Sequence, residues 1–186
     1  VTNVGTLTIT SSNGTTFSGA VGAASVVLNG TQAGQTIAFQ GNLTLSTGLS
    51  TAAVGYGVSL TGAVNSIAGA TTLLNTGGVS FGGGGITTFT TGLLNTAAGT
   101  TTLNGTVRTA GATITMGALT LGAGPSTLDS TNNGGTATGA AISVGAVTGA
   151  TFNLALQAGT VGTISGTTVT NVGTLTITSS NGTTFS

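Results

Sequence analysis

Short segments in which apolar and polar residues alternate are spread along the whole chain. Thr6–Thr10 reads TLTIT, Ala112–Met116 reads ATITM and Phe152–Leu156 reads FNLAL, and Leu43–Ser46 and Ala118–Leu121 alternate in the same way. A period of two places apolar side chains on one face of a β-strand, whereas a helix needs a period near 3.6. The pattern therefore predicts half-buried strands, and the abundance of Gly and Thr disfavours helix throughout.

Turn-forming residues separate these segments. Asn13-Gly14, Asn29-Gly30, Asn104-Gly105 and Gly124-Pro125 interrupt the alternation, as does the glycine run Gly82–Gly85. Asn-Gly is a common tight-turn dipeptide, and Pro cannot donate to a strand ladder. Short strands that recur roughly every eight to twelve residues fit either a β-sandwich or a β-solenoid with about three strands per coil.

A long exact repeat is the strongest signal in the sequence. Val1–Ser18 recurs without change as Val169–Ser186, so that each residue number of the second copy exceeds that of the first by 168. Eighteen identical residues are not expected by chance, even in a biased composition. We therefore predict that residues 1–168 are one complete unit of a tandem array and that residues 169–186 begin the next unit.

Shorter matches inside the unit indicate a second periodicity. LLNT begins at Leu73 and again at Leu93, AGAT at Ala68 and Ala110, and LNGT at Leu28 and Leu103. The last of these shifts would be three steps of about 25, and such shifts are typical of stacked structural repeats. They predict coils of about 20–25 residues, and hence seven or eight coils in each unit.

The repeat and the small apolar residues together favour the solenoid over the sandwich. A sandwich fills the space between two sheets about 10 Å apart with large side chains. A solenoid stacks each inward residue on its equivalent one coil away, at about 4.8 Å, and Ala, Val, Leu and Ile fill such a column well. The predicted fold is all-β, a parallel β-helix (β-solenoid) that continues from one tandem unit to the next.

Two long segments carry a resemblance to a known class of proteins. GTTTLNGTVRTAGATITMGALTLGAG (Gly99–Gly124) and VGTLTITSSNGTTFSGAVGAASVVLNGT (Val4–Thr31) resemble the repetitive β-solenoid shafts of large bacterial surface proteins. These include filamentous haemagglutinin-like adhesins, autotransporter passengers and giant β-strand-repeat exoproteins, and the likeness covers essentially the whole chain. It implies a right-handed parallel β-helix, secretion, and a place in a stalk, adhesin or extracellular fibre.

The composition excludes several classes of partner. Of the 186 residues, 38% are hydrophobic and only one is basic and one acidic, with a mean hydropathy of +0.51. That balance argues against disorder, which needs low hydrophobicity and high charge. A single basic residue cannot neutralise the phosphates of DNA or RNA. No apolar stretch approaches the roughly 18 residues of a membrane-spanning helix.

Catalytic and metal-binding chemistry also lacks the residues that it needs. The chain has no His and no Cys, and Asp129 is its only carboxylate. General acid–base catalysis, zinc ligation and calcium ligation depend on those residue types, usually several together. We therefore expect no catalytic residue, no cofactor and no metal.

The only two charged side chains are those of Arg108 and Asp129. Their separation along the chain is close to the predicted coil length, so the two residues are placed to form an ion pair between adjacent coils. The favoured interpretation is an exposed structural pair that marks the strand register and contributes about 0–1 kcal/mol. The alternative is that Arg108 alone contacts a ligand.

These observations favour a non-catalytic structural repeat of an extracellular or cell-surface fibre, stalk or sheath. Its expected partners are further copies of itself or adjacent repeats, because strand edges without charged residues invite end-to-end pairing. An amyloid-type polymer of short separate subunits would use the same contacts. Two other functions stay open: a repeat that binds carbohydrate or cell surfaces, and an ice-binding Thr array built on Thr6-Leu7-Thr8 and Thr113-Ile114-Thr115.

Overall fold

Every regular element of the protein is a β-strand. A computed structural model describes residues 1–186 and contains no helix. The strands are β1 (Val4–Ile9), β2 (Thr15–Phe17), β3 (Val21–Leu28), β4 (Thr36–Phe39), β5 (Leu43–Thr51), β6 (Gly57–Leu60), β7 (Val64–Ile67), β8 (Thr71–Thr72), β9 (Val79–Phe81), β10 (Ile86–Phe89), β11 (Leu93–Asn95), β12 (Thr101–Arg108), β13 (Ile114–Met116), β14 (Leu119–Asp129), β15 (Ile142–Val144), β16 (Val147–Thr148), β17 (Leu154–Gln157), β18 (Ile164–Gly166), β19 (Val169–Thr170), β20 (Leu175–Ser179) and β21 (Thr183–Phe185).

The strands stack as a β-solenoid of about eight turns with three faces. The first face holds β1, β8, β11, β13, β15, β18 and β21, together with the second halves of β3 and β5. The second face holds β2, β4, β6, β9, β16 and β19, with the first parts of β12 and β14. The third face holds β7, β10, β17 and β20, with the remaining parts of β3, β5, β12 and β14.

All of the strand pairings are parallel, and each joins equivalent positions of adjacent coils. The coils are about 22 residues apart, as in the third-face series Leu45, Ile67 and Phe89. Parallel neighbours need a long crossover between them, and in this fold the crossover is the remainder of the coil. The predicted β-solenoid is therefore confirmed, and the two-sheet sandwich is wrong.

The core is the interior of the coil. Alternating burial along β12 (Thr101–Arg108) shows the period of two directly, with every second side chain buried. Thirty-two buried apolar residues form one continuous cluster. On the second face, one inward column runs through Phe17, Phe39, Leu60, Phe81, Leu103 and Leu121. Each fully buried large side chain contributes about 1.5–3 kcal/mol, so stacked columns hold the coils together.

Two predicted chain breaks lie inside continuous strands. Asn104-Gly105 is within β12 and Gly124-Pro125 is within β14. β12 turns from the second face to the third at a register shift between Leu103 and Gly105, and the extra residues lie in β14, between Leu121 and Ser126. Gly105 has a φ of 128°, and a Cβ there would lie 2.3 Å from the carbonyl oxygen of Gly85. Only glycine fits this corner.

The short sequence matches do not follow the coil register. Leu73 and Leu93 begin the two LLNT copies, but Thr71 is the residue that pairs with Leu93. LNGT at Leu28 lies on the first face, whereas its copy at Leu103 lies on the second. The interpretation of the shift from Leu28 to Leu103 as three coils is therefore wrong. Register follows the alternation of inward side chains, which many near-identical segments satisfy.

Candidate functional site

The two charged side chains meet on the outside of the third face. Arg108 and Asp129 are partnered positions of β12 and β14, and Arg108 Nε donates a 2.9 Å hydrogen bond to Asp129 Oδ2. Gln157 of β17 is the next member of the same column. The spacing of Arg108 and Asp129 along the sequence thus corresponds to one coil, as predicted.

Asp129 is not an exposed residue, contrary to the expectation of a surface pair. Its side chain is 2% exposed, whereas that of Arg108 is 19% exposed. Both carboxylate oxygens accept further bonds: Oδ1 from the backbone N–H and the hydroxyl of Thr131, and Oδ2 from the backbone N–H of Asn133, each at 2.7 Å. With the bond from Arg108, the two carboxylate oxygens of Asp129 accept four hydrogen bonds, all of them of the strong charge-assisted type.

These bonds fasten the largest irregular segment of the chain. The 130–141 loop joins β14 to β15 and makes its coil longer than the coil before. The longer coil separates Ile114 from its partner Ile142, whereas the shorter coil before it separates Leu93 from its partner Ile114. Ser130 closes the base of the loop, because its hydroxyl donates to the carbonyl oxygen of Ala140 at 2.8 Å and accepts from the Ala140 N–H at 3.0 Å. Asp129 therefore organises the start of the loop, and Ser130 holds the loop's two ends together.

Thr131 links the loop to the following coil. Its hydroxyl donates to Asp129 and accepts from the amide of Gln157 at 2.8 Å and from the N–H of Gly134 at 2.9 Å. The roles of Ser130, Thr131 and Gln157 were not predicted from the sequence. An Asp followed two residues later by Thr and then by Asn-Gly is a recognisable side-chain-to-backbone turn pattern, and it was the available signal.

Tyr56 is a second buried polar residue, and no role was predicted for it from the sequence. Its hydroxyl donates to the carbonyl oxygen of Leu28 at 2.7 Å, one coil away, and accepts from the N–H of Ala52 at 3.0 Å. Burial raises the pKa of this phenol above its usual 10.0, and the bond from Ala52 offsets part of the increase. The neutral hydroxyl ties a corner of one coil to the coil before it.

A shallow groove of about 400 Å³ runs along the outer surface of the second face. Hydroxyl groups line it in a column formed by Ser59, Ser80 and Thr102, which are partnered on successive coils. Glycines such as Gly57 and Gly78 leave the backbone accessible beside that column. The groove offers uncharged hydrogen-bonding groups and no ionisable side chain.

The Thr triplets proposed for ice binding lie far apart on the first face. Thr6 and Thr8 belong to the first coil and pair with Ser25 and Val27, so the adjacent coil does not continue the triplet. Thr115 lies in the same outward column, but Leu94 precedes it there and Ser143 follows it. A regular two-dimensional Thr lattice is not present on this face.

The first and last coils that the structure describes each have one strand edge without a partner. At one end β1 and β2 pair only with β3 and β4, and at the other β19, β20 and β21 pair only with β16, β17 and β18. The inward residues of the last coil are uncovered: Leu175 and Ile177 are each 37% exposed, while Leu154, the partner of Leu175 one coil below, is 1% exposed. No charged side chain lies on either edge.

No three side chains of the His, Cys, Asp and Glu types come together, and the molecule holds no helix with the length and apolar character needed to span a membrane. Groups that can make specific contacts include the hydroxyl-lined groove, the loop fastened by Asp129, and the unpaired edges of the first and last coils. No protein-family model, curated protein or solved structure matches the chain.

Proposed function

We propose that the chain is a non-catalytic structural repeat of an extracellular or cell-surface fibre, stalk or sheath, which elongates by stacking coil on coil. The observation that carries the proposal is how the repeated segment pairs in its two copies. The same sequence is paired only on its upper side as residues 1–18 and only on its lower side as residues 169–186. In a continuing stack, one coil would have both kinds of neighbour at once.

The uncharged strand edges of the repeated segment support the same function. Each end leaves a row of unpaired backbone N–H and C=O groups, which natural sheets usually protect with charges, Pro or a covering segment. Neither end of this chain carries a Lys, Arg, Asp or Glu side chain. Stacking would satisfy the backbone groups and bury Leu175 and Ile177 in the continuing core columns.

Placement outside the cell is part of this proposal. A shaft with a single Arg presents one cleavage point to trypsin-like proteases, which suits a protein exposed to them. The resemblance to the shafts of bacterial surface proteins supports the same location. Surface labelling of intact producing cells with an antibody to the chain should give a signal without permeabilisation, and a signal that requires permeabilisation would contradict this placement.

Assembly can be tested with the 186-residue chain and one charge at the open edge. Ile177→Lys places an ammonium group where it reaches water in the free chain but would be buried in a stack. Val161→Lys adds the same charge at a site that is 61% exposed in the coil below the edge, so it is the matched control. The readouts are sedimentation, electron microscopy and the reflection at about 4.8 Å along the fibre axis.

We expect the unsubstituted chain and Val161→Lys to form fibres, and Ile177→Lys to remain in solution. Because every contact in a head-to-tail stack uses one end of each kind, blocking one end stops all growth. If all three proteins remain short discrete particles at high concentration, the proposed stacking is wrong.

A carbohydrate- or cell-binding repeat is the second candidate, and the groove of the second face favours it. Ser59, Ser80 and Thr102 present aligned hydroxyl groups beside exposed backbone, which suits contact with a polysaccharide chain. A glycan array probed with the purified chain tests this candidate. Ser80→Leu should abolish binding if the groove is the site, and unchanged binding would place the contact elsewhere.

A further inference from the structure

The two identical segments of the chain lie on different faces of the solenoid. Leu7 of β1 lies on the first face, where it pairs with Val26 of the next coil. Its counterpart in the second copy is Leu175 of β20, which lies on the third face and pairs with Leu154 of the coil below. One sequence therefore forms parallel strands on two different faces of the solenoid.

The second strand of the repeated segment is displaced in the same way. Phe17 of β2 lies on the second face, whereas its counterpart, Phe185 of β21, lies on the first. Both strands are separated from their copies by seven full turns and two further faces. The numbering offset of 168, divided by the coil length of about 22, gives roughly 7.6 turns, which agrees with seven and two-thirds.

The displaced copy fits its new neighbours. Phe185 pairs with Gly166 on the first face, and a Cβ on Gly166 would lie 2.7 Å from the Phe185 ring. The absence of a side chain at Gly166 thus makes room for the ring. In the first copy, Phe39 stacks on Phe17 with ring centroids 5.0 Å apart, so an equivalent phenylalanine in a following coil would cover Phe185 in the same way.

We infer that the open edge formed by β19, β20 and β21 receives the next unit turned by one face, a third of a turn about the solenoid axis. This inference rests on the proposed function, because it takes a second copy of the repeat as the partner. Residues 20–41 of the following unit would cover residues 169–186 as residues 20–41 cover residues 1–18 here. The phase is restored after three units, which together make twenty-three coils, three times seven and two-thirds.

The rotation determines how the array presents its surface. Each unit has one 130–141 loop on its outside, fastened to Arg108 and Asp129, and one hydroxyl-lined groove. In successive units these features would point in three directions in turn. A shaft built this way displays each feature on a helical path around its axis, so no single face of the fibre collects all copies.

The rotation can be measured in the 186-residue chain by distances between nitroxide labels on introduced cysteines, which are specific because the chain has no cysteine. Thr8 and Thr184 lie in one outward column of the first face, eight coil steps apart, or about 38 Å. Thr176 is the sequence counterpart of Thr8 but lies on the third face. The Thr8–Thr176 distance should therefore exceed the Thr8–Thr184 distance.

The order of the two distances would reverse if the repeat kept its phase, because Thr176 would then lie in the column of Thr8 and Thr184 would lie on another face. That result would overturn the inference. Thr8 and Ser143 form the calibration pair, since they share the first-face column at six steps, about 29 Å. Label pairs that give broad distributions without this order would equally count against it.

Cryo-electron microscopy of the full tandem array provides the second measurement. The 130–141 loop should appear once per unit, about every 37 Å along the axis, with a true repeat of about 110 Å after three units. A repeat of one unit, with all loops in line, would refute the rotation. If the chain forms no fibre while the label distances keep the expected order, the proposed function fails and the rotation within the chain stands.

Discussion

Replacing Asp129 with Asn tests whether a single carboxylate organises the loop of the long coil. The change preserves size and shape but removes the charge and one acceptor oxygen. In the native protein Oδ1 accepts two bonds from Thr131, and Oδ2 accepts one from Asn133 and one from Arg108. The amide of Asn can satisfy only one of these two pairs, and its NH₂ group would then face two donors.

The magnitude follows from the bonds that are lost. A hydrogen bond to a charged group contributes about 1.5–3 kcal/mol net, and an unsatisfied buried donor costs about 1–3 kcal/mol. Arg108 is 19% exposed, so its guanidinium group can hydrogen-bond to water once Asp129 is replaced. The main loss of stability therefore comes from the backbone N–H of Asn133, which loses its acceptor, and from the removal of the negative charge. We expect Asp129→Asn to lower the free energy of unfolding by about 2–4 kcal/mol, well above the value for a surface pair.

Thermal unfolding followed by circular dichroism measures this loss, and hydrogen exchange of the 130–141 loop localises it. For a chain of this size, about 1 kcal/mol corresponds to about 2–4 °C in Tm. Arg108→Gln is the matched control: it removes the partly exposed partner and should cost only about 1 kcal/mol. If Asp129→Asn has the Tm and loop exchange of the unsubstituted protein, the carboxylate does not organise the loop.

Two further changes test the contacts between coils. The raised pKa of Tyr56 means that the folded state keeps its proton to higher pH than the unfolded state; stability should therefore be constant below about pH 10 and fall as the pH rises beyond that value. Tyr56→Phe should cost about 1 kcal/mol at neutral pH and remove that alkaline fall in Tm, and an unchanged fall would contradict the role of the phenol. Gly69→Ala places a Cβ 1.6 Å from the carbonyl oxygen of Thr47 in the preceding coil and should cost at least about 1–3 kcal/mol by denaturant titration, the range for overpacking. Gly5→Ala, where nothing lies within 4 Å, should stay within about 0.5 kcal/mol, and equal effects at both sites would refute the argument from coil spacing.

Much of the local structure follows from the amino-acid sequence. The TLTIT, ATITM and FNLAL segments overlap strands β1, β13 and β17, whose apolar residues turn inward. Period-two alternation predicts this orientation because only one side of such a strand carries the apolar side chains, and that side must face the core. The predicted coil length of 20–25 residues is also confirmed, although the short matches from which it was inferred do not follow the coil register.

The geometry of the corners between faces could not be predicted from the sequence. Asn104-Gly105 has the composition of a hairpin turn, yet it bends a continuous strand. Asn-Gly allows positive φ, and that freedom serves a tight turn and a corner within a strand equally well. Which of the two forms depends on whether the next coil continues the ladder, a property of distant residues.

The amino-acid pattern alone decided the kind of structure: strands of alternating residues, wound in coils of about 22, with almost no charge to keep other copies away. Tertiary packing decided the register, and with it which polar groups are buried. Asp129 came to lie beneath a loop and Tyr56 inside a corner because neighbouring coils cover them. The identical segments at residues 1–18 and 169–186 make the difference plain, since one sequence occupies two faces. A strand specifies which of its sides turns inward, but its position around the axis depends on how many residues all preceding coils have used.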